Sequence, residues 1–288
     1  MKELHLNAYA KVNLALNVLD KREDGYHEVE TVLHTIALHD LITLRETGEG
    51  INVTTDGEAL PAGAANLVYR AATLLREQYS VPRPVEIEVQ KRIPVAAGLG
   101  GGSADAAMTL MGLAQMWKLR LDGRELHALA ARLGSDVPFF LDGGSAVARG
   151  RGERVLPLPP LPTTWVVLAR PRVSVLTEWA YRHLQPTGIT RRPDVPTLVE
   201  AVRRRDVPAV GRLLGNVFEE FIAGRHPIVS DVKARILGGE AYGAAMTGTG
   251  PTVFGLMANE AAARRVADDL GTIQDLDVFV TRTFAEQR

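Results

Sequence analysis

The chain has 288 residues, enough to bury a sizeable core and to form two domains. Hydrophobic residues make up 46% and charged residues 23%, and 33 basic against 34 acidic side chains leave a net charge of -1, so no overall field favours nucleic acid or an anionic membrane. The absence of cysteine excludes disulfides, zinc–thiolate sites and thiol nucleophiles together.

The opening MKELHLNAY lacks the apolar region of a signal peptide, and no later stretch approaches the roughly 18 consecutive apolar residues of a membrane span. A cytoplasmic protein with no membrane partner is the expectation. From Leu4 to Val18 every even position is apolar and the odd ones are mostly polar, the period of a half-buried strand. Tyr9, Lys11, Asn13 and Asn17 then share the face opposite the core, which a purely structural reading would leave to solvent. Arginine outnumbers lysine 27 to 6, so Lys11, set among uncharged residues, invites a functional question.

Further strands are expected at 36–45, 51–55 and 85–90. Between the last two, Asn66 is a good N-cap for a helix running to about Tyr79, where Pro82 and Pro84 stop it. A glycine run, "PVAAGLGGGSADAA" (94–107), follows the strand at 85–90 and enters a helix expected over 103–118. Asp122 and Glu125 make a capping-box start to the next helix, Leu126, Leu129 and Leu133 give its apolar stripe, and Gly134 ends it. "SDVPFFLDGGSAVARGRG" (135–152) leads through turn residues, and Asp136 in "GSDVPFF", after a helix stop and before an apolar run, is suited to an N-cap or turn role. Strands come next, and the proline-rich "LPLPPLPTT" (156–164) is the best linker candidate. Beyond it a strand is expected at 165–169, helices at 176–184, 196–205, 207–221 and 228–237, strands at 244–247 and 252–257, a helix at 260–270 and a last strand at 278–283. The whole is an α+β pattern in two halves.

The glycine run fails the familiar phosphate templates. A Walker A loop needs lysine after its last glycine, where Ser103 stands, and a dinucleotide fingerprint needs glycine at that same position. The physics of an anion site survives. Glycines let consecutive N–H groups converge, and the following helix offers its unpaired N–H groups and positive dipole end to the same place. Ser103 is a candidate to cap the helix, to donate to phosphate or to ligate Mg²⁺. A second glycine turn, "MTGTGPTVFG" (246–255), reads on its own as a hairpin. "HEVET" (27–31) starts like a zinc-protease motif but has Thr31 where histidine is required, and the seven histidines show no metal spacing.

Three stretches in fixed order, "AYAKVNLALNVLDKREDGYHEVETV", "PVAAGLGGGSADAA" and "AAMTGTGPTVFGL", resemble the three motifs of the GHMP kinases. "AKVNL" followed by "DGYHE", together with "GSDVPFF", narrows the resemblance to members acting on a cytidine-diphosphate-linked methylerythritol in the non-mevalonate isoprenoid pathway. The resemblance implies a two-domain α+β fold, with an N-terminal nucleotide-binding half over 1–155, the linker 156–164 and a C-terminal α/β sandwich half over 165–288, the active site lying in the cleft between them. It implies transfer of the ATP γ-phosphate to the 2-hydroxyl of that substrate. Asp136 would accept the hydroxyl proton, and Lys11 would hold it ionised and support charge on the reacting oxygens. Pro94, Val95, Ala96, Ala97, Gly98, Leu99, Gly100, Gly101, Gly102, Ser103 and Ala104 would wrap the ATP phosphates, and Asn66 takes the family position at the adenine. The cytosine would be stacked on Tyr26 and read by His27, with Asn13 and Thr177 lining the pocket and Tyr181 as the second aromatic, Trp179 competing for that role. Mg²⁺ is implied with ATP, held by its phosphates, waters and Ser103, since the acidic ligand usual in the superfamily has no assignable counterpart.

The loop departs from its relatives at Ala96-Ala97 and Ser103-Ala104, where glycine or serine is common. Alanine fits there provided those residues avoid positive φ. A small-molecule substrate, no nucleic acid and a monomer or weak homodimer complete the expectation. The alternatives are a homoserine- or mevalonate-type kinase, or a non-catalytic nucleotide-binding protein, which would have no need of both Lys11 and Asp136.

Overall fold

The computed structural model describes residues 3–58, 60–185 and 188–284. The chain forms two compact units, each assembled from several stretches: 38–95 and 100–142 with the first ten residues in one, and 11–37, 96–99 and 143–288 in the other. The boundaries fall inside two long strands, β1 (Glu3–Lys21) and β2 (His27–Arg45), and on either side of residues 96–99 in the glycine run. β2 begins nine residues earlier than the expected strand, because residues 27–35 find a partner in β5 (Ser145–Gly150), Val29–His34 pairing antiparallel with it.

In the first unit, β3 (Ile51–Asp56) runs parallel to β4 (Val85–Gln90), and β4 runs antiparallel to Leu41–Arg45 of β2. Four helices pack with them: α1 (Leu67–Gln78), α2 (Gly101–Met116), α3 (Gly123–Leu133) and α4 (Val137–Asp142). The caps follow the sequence. Asn66 accepts from Val68 N at 2.8 Å, and Asp122 and Glu125 form a complete capping box. Two expectations fail here. Residues 137–142 are helical rather than a turn, because Val137, Phe139, Phe140 and Leu141 are all buried together. α2 begins at Gly101 and not at Ser103, with Gly100 as N-cap at φ 73°, so Ser103 does not cap the helix. Packing favours glycine there: a Cβ on Gly101 would lie 3.0 Å from the Ile93 side chain and 3.2 Å from Lys91 Nζ, so a larger residue would push on both.

In the second unit, β5 continues into a hairpin with β6 (Arg154–Leu158), so Leu156–Leu158, expected in a linker, are paired strand residues. A four-stranded antiparallel sheet runs β11 (Leu276–Arg282), β7 (Trp165–Pro171), β10 (Val253–Met257), β9 (Ala241–Met246). Its core gathers Val167, Ala169, Met246, Val253 and Met257 with Val229, Val232 and Ile236 of α9 (Ile228–Leu237) and Ala262, Val266 and Leu270 of α10 (Glu260–Leu270). α5 (Thr177–His183) and α6 (Val195–Arg203) follow the expected segments. The single helix expected over 207–221 is instead α7 (Val207–Leu213), a two-residue strand β8 (Gly215–Asn216) pairing parallel with Ala15 and Leu16, and α8 (Glu219–Arg225). Asn216 breaks the helix: its amide nitrogen donates to the Met246 and Gly248 carbonyls at 2.7 and 2.8 Å, and its Oδ1 accepts from Phe218 N at 2.9 Å.

Candidate active site

The N-terminal part of β1, in the first unit, alternates as predicted, but from Ala10 to Val18, which lies almost wholly in the second unit, both faces are buried. Lys11 is only 3% exposed and Asn13 4%, so the solvated-face reading fails for them. A buried ammonium needs acceptors. Lys11 Nζ donates to Asn13 Oδ1 at 2.6 Å and to the Gly98 carbonyl at 2.8 Å, while Lys11 N donates to the Leu99 carbonyl at 3.0 Å. Asn13 Oδ1 also accepts from Gly248 N at 2.8 Å and Thr247 Oγ1 at 3.0 Å, and its Nδ2 donates to Thr31 Oγ1 at 2.8 Å. Asn13 therefore orients Lys11 and joins it to the second glycine turn.

That turn is a β9–β10 hairpin, as its sequence indicates, and it also meets the phosphate-loop candidate. A Cβ on Gly98 (φ +74°) would sit 2.3 Å from the Thr247 carbonyl oxygen. Gly98, Gly100 and Gly248 all occupy left-handed φ, which favours glycine. Ala96, with φ 53°, does so too, against the condition set for it above. The hydrogen bonds around residues 98–99 and the helix beginning at Gly101 hold a strained backbone there.

In the first unit Asp136 immediately precedes α4, half-buried, its carbonyl accepting from Phe139 N at 3.2 Å. The Gly134–Val137 turn between two helices fixes where its backbone lies. Asn66 is buried, its Oδ1 engaged as the α1 cap. At the stems of the glycine run lies a cluster that sequence reasoning missed. Lys91, 2% exposed at its side chain, donates to Asp105 Oδ2 at 2.9 Å and forms a short ion pair with Asp40, both acids being fully buried. Burial pulls the Lys91 ammonium down, but the two aspartates together raise it above its ordinary value. Burial pushes the Asp105 carboxyl up to about 7, against the pull of Lys91. The available signal was lysine scarcity, obscured by Arg92 next in the chain.

The motif "DGYHE" builds a tight turn in the second unit. Asp24 Oδ1 accepts from Tyr26 N at 3.1 Å, and Gly25 takes φ +84°. Glu28 accepts from Arg22 and Arg154, each at 2.6 Å, and from Gly150 N at 3.1 Å, pinning the turn to β5 and β6. Tyr26 stands 55% exposed with the Arg151 guanidinium 4.8 Å from its ring centre. The His27 and Tyr181 rings approach to 5.7 Å, and Tyr181 packs edge-on to Phe218 at 4.8 Å. Burial, aided by Lys21, holds His27 below the usual histidine value, so its imidazole stays neutral at pH 7. Trp179 stacks with His183 at 5.0 Å and with Phe221 at 5.3 Å, and the Arg225 guanidinium lies 5.0 Å from its ring centre. Thr177 Oγ1 lies 3.3 Å from Thr249 Oγ1. Among the described residues no group of three or more His, Asp or Glu side chains is placed to hold a metal ion.

The class follows from these features and from comparison with known families. Residues 66–144 match the GHMP kinases N terminal domain and residues 198–273 the GHMP kinases C terminal domain. A 4-diphosphocytidyl-2-C-methyl-D-erythritol kinase of Pelotomaculum thermopropionicum is 46% identical over 278 residues, covering 96% of each chain. That of Alkaliphilus metalliredigens is 43% identical over 274 residues, covering 95% of this chain and 94% of its own. A crystal structure of 4-(cytidine 5'-diphospho)-2C-methyl-D-erythritol kinase superposes with a TM-score of 0.82 at 36% identity, covering 98% of this chain and all of the other. A homoserine kinase from Cytophaga hutchinsonii shares the fold, with a TM-score of 0.76 at 20% identity over 100% of this chain and 96% of its own. The chain belongs to the GHMP kinases, in the family of the 4-diphosphocytidyl-2-C-methyl-D-erythritol kinases.

Proposed function

We propose that the protein transfers the γ-phosphate of ATP to the 2-hydroxyl of 4-diphosphocytidyl-2-C-methyl-D-erythritol, giving the 2-phosphate and ADP. The oxygen of that hydroxyl bonds to the γ-phosphorus as the bond to the ADP oxygen breaks, and the hydroxyl proton passes to Asp136. The support for a kinase is the buried Lys11, held by Asn13 and the Gly98 carbonyl beside a backbone that only glycine can adopt. In this reading residues 94–104 cradle the ATP phosphates, Lys11 supplies fixed positive charge for the reacting oxygens, and Asn66 lies at the adenine. Mg²⁺ accompanies ATP and neutralises charge on its phosphates. The chain offers it no acidic cage among the described residues, which favours phosphate and water ligands with the Ser103 hydroxyl as the protein's contribution.

The choice of substrate rests on the approach of His27 to Tyr181. A neutral imidazole can both donate to and accept from a base edge, and a tyrosine face stacks on it. In this reading Tyr26, exposed on its tight turn, stacks on the other face of the base, and Thr177 supplies a hydroxyl. Homoserine and mevalonate carry no base and would leave these groups idle. Thermal unfolding with cytidine diphosphate tests this directly. At about 100 times its Kd a ligand of the folded state adds about 2.7 kcal/mol of stability, a clear rise in Tm. A Tm that ignores cytidine nucleotides but rises with mevalonate or homoserine would refute the assignment.

A further inference from the structure

Asp40, Lys91 and Asp105 lie outside every role assigned above, yet they bracket the glycine run. Lys91 follows the last residue of β4 and leads into the run, and its backbone N–H is tied to the Asp56 carbonyl at 2.8 Å. Asp40 on β2 accepts from the backbone N–H groups of Arg92 and Ile93 at 2.6 and 2.8 Å with one oxygen and pairs with Lys91 through the other. Asp105 lies in the second turn of α2, the helix that leaves the run. The entering and leaving stems of residues 94–100 are therefore joined through one ammonium. Gly101 rests directly on this assembly, its missing Cβ making room for Lys91 Nζ and Ile93.

Two acids and one lysine in a dry interior are an expensive way to hold a strand to a helix, and apolar residues of similar volume would serve stability as well or better. Their direct bonds fix directions that apolar contacts leave loose. The second oxygen of Asp105 is buried without a hydrogen-bond partner, so the arrangement is not simply the best-satisfied network for this core. No member is exposed enough to touch a ligand.

We propose that Asp40, Lys91 and Asp105 form a buried lock that positions the glycine run and the first turn of α2, setting affinity for ATP without contacting it. They are positioning residues, and the proposal rests on the assignment of residues 94–104 to the ATP phosphates. A hydrogen bond to a charged group is worth about 1.5–3 kcal/mol, so misaligning one N–H with a phosphate loses on the order of 10- to 100-fold in affinity.

The test is calorimetric titration of the full chain with Mg²⁺·ATP and, separately, with cytidine diphosphate. Asp105→Ala leaves Lys91 and Asp40 as a neutral pair, so the variant folds, and melting curves verify it. ATP affinity is expected to fall about 10- to 100-fold with cytidine diphosphate affinity unchanged. Asp105→Asn, which retains an acceptor for Lys91, returns ATP affinity to near the wild-type value. Unchanged ATP affinity in Asp105→Ala overturns the lock, as does a parallel loss for both ligands, which marks a merely structural role. An Asn variant as weak as the Ala variant overturns it too. Gly100→Val, forced into left-handed backbone, tests the underlying assignment: if it binds ATP normally, residues 94–104 are not the phosphate site. If it loses ATP while Asp105→Ala does not, the lock alone fails.

Discussion

Gly98 and Gly248 meet backbone to backbone: a Cβ on Gly248 would stand 2.8 Å from Gly98 Cα, although 149 residues separate the two in the chain. Both have left-handed φ. This contact brings the hairpin turn at 247–250 to the glycine run and lets Asn13 bond Lys11 and Gly248 together. Alanine at Gly248 incurs roughly 1–2 kcal/mol for the left-handed backbone and about 1–3 kcal/mol for overpacking. Gly248→Ala is expected to lower Tm by several degrees and to weaken ATP binding, read by melting curves and titration. Gly25→Ala, with the same sign of φ but open space around it, should show only the backbone part.

Asp136→Asn removes the carboxylate proposed to accept the hydroxyl proton while keeping the shape of the turn before α4. General-base catalysis contributes on the order of 10² to 10⁴ in rate, so kcat should fall by that factor with ATP affinity retained. Steady-state kinetics paired with an ATP titration separates the two, and an unchanged kcat would remove Asp136 from the chemistry.

If Tyr181 and not Trp179 stacks on the base, alanine at each reads the two apart. Stacking on a base is worth about 1–3 kcal/mol, or roughly 5- to 150-fold in affinity, so Tyr181→Ala should raise KM for the cytidylylated substrate by that range with KM for ATP unaffected. Trp179→Ala should instead lower Tm, because its ring stacks with His183 and with Phe221.

His34 sits fully buried against Ser145 Oγ at 2.7 Å, and burial lowers its pKa from 6.5 to about 3. The unfolded chain binds this proton below about pH 6.5 and the folded chain only near pH 3, so stability rises with pH across that window and is lost on acidification through it. A separation of this size corresponds to about 5 kcal/mol. His34→Gln should flatten the dependence of unfolding free energy on pH between 6.5 and 3 by close to one proton, measured by denaturant titration at several pH values.

Local chemistry made much of this molecule readable. The strand β1, the Asn66 cap and the Asp122–Glu125 box each depend on neighbours a few residues away, and each stands where the pattern puts it, although the alternation in burial along β1 ends at Ala10, where distant residues cover its second face. The break between α7 and α8 was hidden because Val207, Val210, Leu213, Phe218 and Phe221 keep a helical period, and only Asn216's bonds to the distant 246–248 carbonyls reveal it. For the same reason Thr247 and Gly248 looked like an ordinary hairpin turn until the fold set them against Gly98. The start of α2 was misplaced because glycine propensity argues against helix, whereas close packing on Ile93 and Lys91 favours a residue without Cβ there. Asp40 and Asp105 carry no motif at all, since what unites them is a shared lysine.

The most direct test of the central claim is phosphoryl transfer itself. Purified protein with Mg²⁺·ATP and 4-diphosphocytidyl-2-C-methyl-D-erythritol, followed by ³¹P NMR, should form ADP and the 2-phosphate in equal amounts, with homoserine and mevalonate inert. No phosphorylation of that alcohol, or turnover of homoserine or mevalonate in its place, would contradict it.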